Sequence, residues 1–367
     1  MSGRAGQGID DATPIRRLPP ALRQALFVLT GAKRLFDSRP LHAQIVVTYD
    51  CNLTCRYCHE YTTGAPIVPL EVIKQRIDKL AGLGAFAYDV LGGEPLLHPD
   101  IVEIMAHIKR QRRGVTFATI ITNAFKLTPE IIDGLNDAGL DAMQVSVDTI
   151  DPEPGLPKSL KSVLPKLTML AERARFPVKI QTVLTEESRE CYDQFRALLA
   201  PFGFEFGFSL LHDAAGKIGI HGQHFADLLQ QHELFPGMAF FRKHAAEMLV
   251  GDFSRPWKCL GGFKYVYVRA DGRTQYCSQV AGEARPIEEM TLADLRRADV
   301  HKPCEAGCAL SCVRTVSHAM ATPLHSLTAS FEILGRFMHP SPSPQVALTR
   351  VESSTRRASL VGVDPSA

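Results

Sequence analysis

Three cysteines stand close together at Cys51, Cys55 and Cys58, in the stretch CNLTCRYCHE over 51–60. Clustered thiolates bind soft metals and iron–sulfur clusters. Three of them can hold three irons of a [4Fe–4S] cube and leave the fourth open, as catalytic metal sites reserve a position for substrate or water. An open iron can bind a small chelating ligand and pass it an electron. The competing reading is a structural zinc knot with His59 as fourth ligand. The usual zinc knuckle, however, pairs one CxxC with a second, distant pair.

Five more cysteines follow far downstream: Cys259 in WKCLGG, Cys277 in RADGRTQYC, and Cys304, Cys308 and Cys312 four residues apart in CEAGCALSC. The sequence DGR reads as a hairpin turn between YVYVRA and TQYCSQ, which brings Cys259 and Cys277 near each other. Cys191, alone in SRECYDQF on a predicted helix, reads as a core residue.

The bulk numbers set the context. A chain of 367 residues is long for one core and suggests one large domain plus a smaller one. Apolar residues make up 45% and charged residues 22%, an ordinary globular mix. The formal charge of +2 comes without a basic stripe, and the short run KRQRR (109–113) reads as a solvated helix end, so no nucleic-acid partner is expected. No run of about 18 apolar residues is present, so no membrane span is expected. The opening MSGRAGQGIDDATP lacks an apolar secretory segment. The expected location is the reducing cytoplasm, where clustered cysteines mean metal or redox chemistry more often than disulfides.

The elements that must position these thiols alternate along the chain. Strand patterns at 42–50, 86–92, 115–122, 141–148, 177–185 and 204–212 are interleaved with helical patterns at 69–84, 99–113, 128–139, 159–174 and 188–203, and a long helical stretch covers 223–250. Such alternation predicts a parallel sheet with right-handed crossovers. The predicted fold class is α/β: an incomplete (β/α)6 TIM-type barrel over 42–250, with a small C-terminal cysteine-rich domain over 251–322. An open doubly wound sheet is the alternative. Residues 1–19 read as disordered, 20–41 as a helix and linker, and 323–367 as a mostly disordered polar tail.

Parallel α/β folds put their chemistry at the carboxyl ends of strands. Cys51 follows strand one, Gly92-Gly93-Glu94-Pro95 follows strand two, Thr122-Asn123 ends strand three, and Ser146 and Asp148 end strand four. Each alone has a bland reading as a turn, a helix cap or a loop partner. His212 and Asp213 fall on the same rim after strand six, and Gln181 on strand five faces it at best.

These motifs together resemble the radical S-adenosylmethionine (radical SAM) superfamily. CNLTCRYC is similar to its CxxxCxxC motif, including the aromatic Tyr57, and GGEP is similar to its second hallmark; the resemblance covers roughly 42–250. It implies that Cys51, Cys55 and Cys58 ligate a [4Fe–4S] cluster whose open iron is chelated by the amine and carboxylate of SAM. It implies that Gly92, Gly93 and Glu94 meet the methionyl ammonium, that Ser146 and Asp148 reach the ribose hydroxyls with help from Asn123, and that backbone near Tyr57 faces the adenine. A reductant such as flavodoxin or ferredoxin would supply the electron, and the 5′-deoxyadenosyl radical would take hydrogen from a substrate: a peptide, another enzyme or a small molecule.

The second cysteine group resembles the SPASM/twitch extension of the same superfamily, with C-x12-G-x4-C at Cys259, Gly272 and Cys277 matching its opening. The full seven-cysteine set is absent, as is the central CxxC pair. The resemblance implies one auxiliary [4Fe–4S] cluster among Cys259, Cys277, Cys304, Cys308 and Cys312, with Cys259, Cys277, Cys308 and Cys312 the favoured four. It would relay electrons, bind substrate or be structural. A zinc module and a reduced buried cysteine set are the alternatives there. For the whole chain they are a cluster-bearing electron-transfer or binding protein that does not cleave SAM, and a zinc-stabilised scaffold. Tyr265 and Tyr267 would face the barrel mouth if the second domain folds over it. The sequence assigns no substrate-specific catalytic residue.

Overall fold

The computed structural model describes residues 36–111, 115–231, 239–282 and 284–322, with scattered positions between 22 and 34. The expected N-terminal disorder, most of the helix expected at 20–36 and the C-terminal tail lie outside the described residues.

Six βα units follow in chain order. Strands β1 (His42–Val46), β2 (Ala87–Leu91), β3 (Phe117–Thr122), β4 (Ala142–Ser146), β5 (Val178–Leu184) and β6 (Glu205–Leu210) alternate with helices. These are α1 (Leu70–Leu83), α2 (Ile101–Arg110), α3 (Pro129–Ala138), α4 (Leu160–Arg173) and the pair α5 (Glu186–Glu190) and α6 (Tyr192–Leu199). Then come α7 (Gln223–Gln231), α8 (Ala239–Leu249), the short hairpin β7 (Tyr265–Val268) and β8 (Thr274–Gln275), α9 (Leu292–Arg297) and α10 (Ser311–Ala319). The helix expected at 188–203 is divided at Cys191, whose thiol donates to the Glu187 carbonyl at 3.1 Å and whose side chain packs against the main core.

The sheet runs β6-β5-β4-β3-β2-β1-β7-β8 and does not close on itself. Every pairing from β6 to β7 is parallel, and only β7–β8 is antiparallel. The open parallel sheet is the incomplete barrel expected, with one addition. The hairpin of the cysteine-rich segment lays β7 beside β1, with His42 opposite Tyr265 and Gln44 opposite Tyr267, so this segment extends the barrel sheet itself.

Local sequence explains the helices. Ile73, Ile77 and Leu80 recur at i, i+4 and i+7, form one stripe of α1, and are fully buried against the sheet. Each such side chain contributes about 1.5–3 kcal/mol on burial. Thr128 caps α3 by accepting from Ile131 N at 3.3 Å, and Ser159 caps α4 from Ser162 N at 3.2 Å. The core lies between helices and sheet, where Ala43, Ile45, Tyr88, Val90, Ile120, Val145 and Ile180 meet these stripes.

The opposite sheet face is polar at β1, β2 and β7. Gln44 Nε2 donates to Asp89 Oδ2 at 2.9 Å, His42 Nε2 lies 2.9 Å from the same oxygen, and the Tyr265 hydroxyl donates to Gln44 Oε1. Burial alone would raise the Asp89 carboxyl, but His42, Gln44 and Thr119 outweigh it and hold it below its ordinary value.

Candidate active site

The loop after β1 carries the three cysteines and is held by backbone at both ends. Gly93 N donates to Thr48 O at 2.9 Å and Glu94 N to Asp50 O at 2.8 Å, while Val68 N returns to Val47 O at 3.1 Å. The two glycines of GGEP are required by this close approach. A Cβ on Gly92 would sit 2.2 Å from Thr48 O, and one on Gly93 2.2 Å from Asp50 O. Within the loop Cys58 N donates to Cys55 O at 3.1 Å, which closes a tight bend between the two cysteines.

Burial raises all three thiols above their ordinary value, Cys55 to about 11. Buried thiols of this kind stay protonated unless cations compensate them, and a metal does so by coordination. Asn123 Nδ2 reaches the loop, donating to Asn52 Oδ1 at 3.0 Å and lying 3.9 Å from Cys51 Sγ. The next residue, Ala124, takes a φ of 63° and is held there because its N–H donates to Thr122 Oγ1 at 2.9 Å.

Glu94 and Asp148, two of the rim carboxylates, are both engaged by protein groups. Glu94 is fully buried, and its carboxylate is clasped by Thr122 Oγ1 at 2.6 Å, Asn123 N at 2.7 Å and Leu96 N at 2.9 Å. It ties the end of β2 to the end of β3 and caps the short 3₁₀ turn Pro95–Leu97. Burial leaves its pKa raised in spite of these donors. A carboxylate so enclosed shapes the GGEP backbone. Asp148 likewise is 1% exposed. Its Oδ2 accepts from the Tyr57 hydroxyl at 2.5 Å and lies 3.4 Å from Lys158 Nζ, and its Oδ1 takes Val183 N at 3.2 Å. Asp148 thus joins the first cysteine loop, through Tyr57, to β5, through Val183.

Lys158 is the residue that the sequence did not single out. It lies in the loop PEPGLPK, where a lysine is ordinarily solvated, yet its ammonium sits 5.0 Å from the Tyr57 ring centroid. Burial opposes its charge, but Asp148, Tyr57 and Cys55 outweigh that and hold its pKa well above the usual range.

Ser146 ends β4 opposite Gln181 of β5. Gln181 Nε2 donates to Ser209 Oγ at 3.1 Å, and its Oε1 is buried with no hydrogen-bond partner among the described residues. Gln181 thus offers an acceptor beside the rim. His212 comes near the loop as well, its ring centroid 6.5 Å from that of His59. Asp213 closes its own turn by accepting from Ala215 N and Lys217 N.

The second cysteine group forms a cavity. Cys259, Cys277, Cys304 and Cys308 line it together with Trp257 and Lys302. The strand-like contact of Lys217 with Cys308, and the bond from Ile218 N to Gly307 O at 2.8 Å, lay this segment over the loop after β6. Gln279 Nε2 donates to Glu60 Oε1 at 2.9 Å and joins the hairpin to the first cysteine loop. Burial pushes Cys308 up to about 12 and raises Cys259 and Cys277 too.

Cys304 is among the residues that line this cavity, and Cys312, one of the four favoured from the sequence, is not. Cys312 Sγ is 3.4 Å from the Tyr265 oxygen, whose own proton goes to Gln44, so the thiol proton serves that contact. Tyr265 and Tyr267 are buried on the sheet face beside this cavity.

A family model described as the radical SAM superfamily matches residues 45–194. A GTP 3′,8-cyclase of Chlorobaculum tepidum is 35% identical over 137 residues, 37% of this chain and 37% of that protein. An AdoMet-dependent heme synthase of Methanosarcina barkeri is 32% identical over 152 residues, 39% of this chain and 42% of that protein. The chain thus spans less than half the length of these curated relatives. Among solved structures, Streptococcus suis SuiB bound to its precursor peptide SuiA superposes with a TM-score of 0.56 at 16% identity, over 79% of this chain and 72% of that one. The enzyme anSMEcpe with bound AdoMet and a peptide gives 0.54 at 17% identity, over 79% and 99%. At such identities the superpositions establish the shared fold. A [4Fe–4S] cluster and SAM are the cofactors of this family. Among the described residues, no helix is long and apolar enough to cross a membrane. The family model runs from β1 into α6, with the matching motifs on the carboxyl rim of an open parallel sheet, so residues 45–194 of this chain are similar to the radical SAM superfamily.

Proposed function

We propose that the chain cleaves SAM reductively at a [4Fe–4S] cluster ligated by Cys51, Cys55 and Cys58, and oxidises or rearranges a substrate held in the open barrel. The observation that carries this reading is the convergence on one loop. The three thiols, the Asn123 amide, the Tyr57–Asp148 bond and the glycine cradle of GGEP come from the ends of four neighbouring strands. The donor set fits the cofactors: three soft thiols of one loop for a cluster, and the half-buried backbone of Gly92 and Gly93 for the methionyl group of SAM. When bound, the cluster and SAM supply a 5′-deoxyadenosyl radical that takes a hydrogen atom from the substrate.

The chain's own residues orient and shield. Glu94 holds the GGEP turn against β3. Ser146 and the unmet Oε1 of Gln181 offer hydrogen bonds to the ribose or to a polar substrate. The cysteine-rich segment, tied to the first loop through Gln279 and Glu60, covers one side of the mouth and excludes water. We further infer that Cys259, Cys277, Cys304 and Cys308 ligate an auxiliary cluster in a SPASM/twitch-type extension. Four thiolates would close that cluster to substrate and leave it to electron relay.

A one-electron reductant such as flavodoxin or ferredoxin, in a reducing cytoplasm, suits nine free cysteines. The relatives' cyclase and heme-synthase reactions do not carry over, because the matches leave most of this chain uncovered.

The test is anaerobic reconstitution with iron and sulfide, reduction in the presence of SAM, and assay for 5′-deoxyadenosine. A variant with Cys51, Cys55 and Cys58 all changed to Ala is the control. Product from the wild type alone supports the reading. A cluster-loaded, reduced protein that forms none, with or without candidate substrates, is an electron carrier instead.

A further inference from the structure

We propose that Lys158 is a positioning residue for the first cluster: its buried ammonium braces the loop through Asp148 and Tyr57, and it raises the reduction potential of that cluster. The inference rests on the reading that Cys51, Cys55 and Cys58 hold the cluster.

Tyr57 lies between Cys55 and Cys58, two of the three thiols. Its hydroxyl is bound to Asp148 Oδ2 at 2.5 Å, and Lys158 Nζ reaches the same oxygen at 3.4 Å while standing over the ring. Asp148 N donates to Lys158 O at 2.7 Å, so the two charged residues are also joined through backbone. The Asp148 side chain is 1% exposed and that of Lys158 14%, so water screens the pair little. Removing the lysine would leave a buried carboxylate without its counter-charge, hydrogen-bonded to the tyrosine between Cys55 and Cys58. The ammonium over the Tyr57 ring therefore stands beside a residue that lies between Cys55 and Cys58. A cluster bound by thiolates becomes more negative on reduction. A fixed cation nearby in a poorly screened site favours the reduced form.

The experiment is a redox titration of the reconstituted full chain, followed by electron paramagnetic resonance. The first cluster is read as the signal missing from the Cys51, Cys55, Cys58 triple alanine variant. Lys158→Met is expected to move the reduction equilibrium about tenfold toward the oxidised state, about 59 mV for one electron. Lys158→Arg, which keeps the charge, is expected to stay near wild type. A Lys158→Met midpoint equal to wild type overturns the proposal, as does a Lys158→Arg shift as large as that of Lys158→Met. If Lys158→Met holds no iron in the first site, iron content and melting of the apo proteins decide. Loss in Lys158→Met with retention in Lys158→Arg, at unchanged melting temperature, supports the charge role; loss in both overturns it. A wild-type spectrum identical to the triple variant sinks the three-cysteine reading, whereas a normal wild-type signal with an unmoved Lys158→Met sinks the lysine inference alone.

Discussion

The Tyr265 oxygen stands 3.4 Å from Cys312 Sγ, on the sheet face and not in the cavity lined by Cys259, Cys277, Cys304 and Cys308. Burial pushes the Cys312 thiol up to about 11. A thiol that spends its proton on tyrosine is poorly placed as a ligand. Cys304→Ala should therefore lower the reconstituted iron content by about four atoms per chain, one cube's worth, whereas Cys312→Ala should leave it unchanged. Iron and sulfide analysis checks this, and the reverse result would return Cys312 to the quartet.

Glu94 is a structural clasp, and its loss strands the donors of Thr122, Asn123 and Leu96 in a dry site. Glu94→Ala should destabilise the apo protein by about 3–5 kcal/mol, and Glu94→Gln by less, because the amide oxygen can still accept. Urea unfolding of the apo variants measures both. A change under about 0.5 kcal/mol for Glu94→Ala would show that the clasp is not a stabilising element.

Gly93→Ala places a methyl group 2.2 Å from Asp50 O and 2.5 Å from Tyr49 O. The loop must shift to admit it, and a displacement of about 1 Å at a reacting centre costs about a hundredfold in rate. Formation of 5′-deoxyadenosine should drop by at least that factor. Activity within a few-fold of wild type would mean that this turn does not position SAM.

His244 is buried beside Arg314, and burial first and then that guanidinium depress its pKa to about 4. The unfolded chain takes up the proton near its ordinary value of about 6.5. Between these two values the unfolded state binds more protons, so this group's stability contribution is present above pH 6.5 and is lost as the pH falls toward 4. The loss is about 2–3 kcal/mol at the acid end. His244→Leu should flatten the acid limb of the stability profile relative to wild type. Parallel profiles for the two proteins would refute the assignment.

Much of the site was legible because its signals are local. Period-two and period-3.6 patterns marked every strand of the parallel sheet, and the spacing of Cys51, Cys55 and Cys58 marked the chemistry. The division at Cys191 was not visible, since the break is a single residue, Cys191, at φ −96° and ψ 10°, with no capping side chain to signal it. Glu94 and Asp148 were legible as rim residues, but whether a rim carboxylate faces ligand or protein depends on donors from other strands. Lys158 gave no signal, because a lysine in a proline-rich loop is normally wet.

The sequence by itself determined the α/β alternation, the three-thiol loop and its place after the first strand, since each follows from short-range spacing. Only the tertiary structure decided that β7 joins β1, that Cys304 rather than Cys312 lines the second cavity, and that Lys158 is drawn onto Asp148 and Tyr57. Those outcomes depend on contacts between residues far apart in the chain, which fall into place only when burial forces each buried polar group to find a partner.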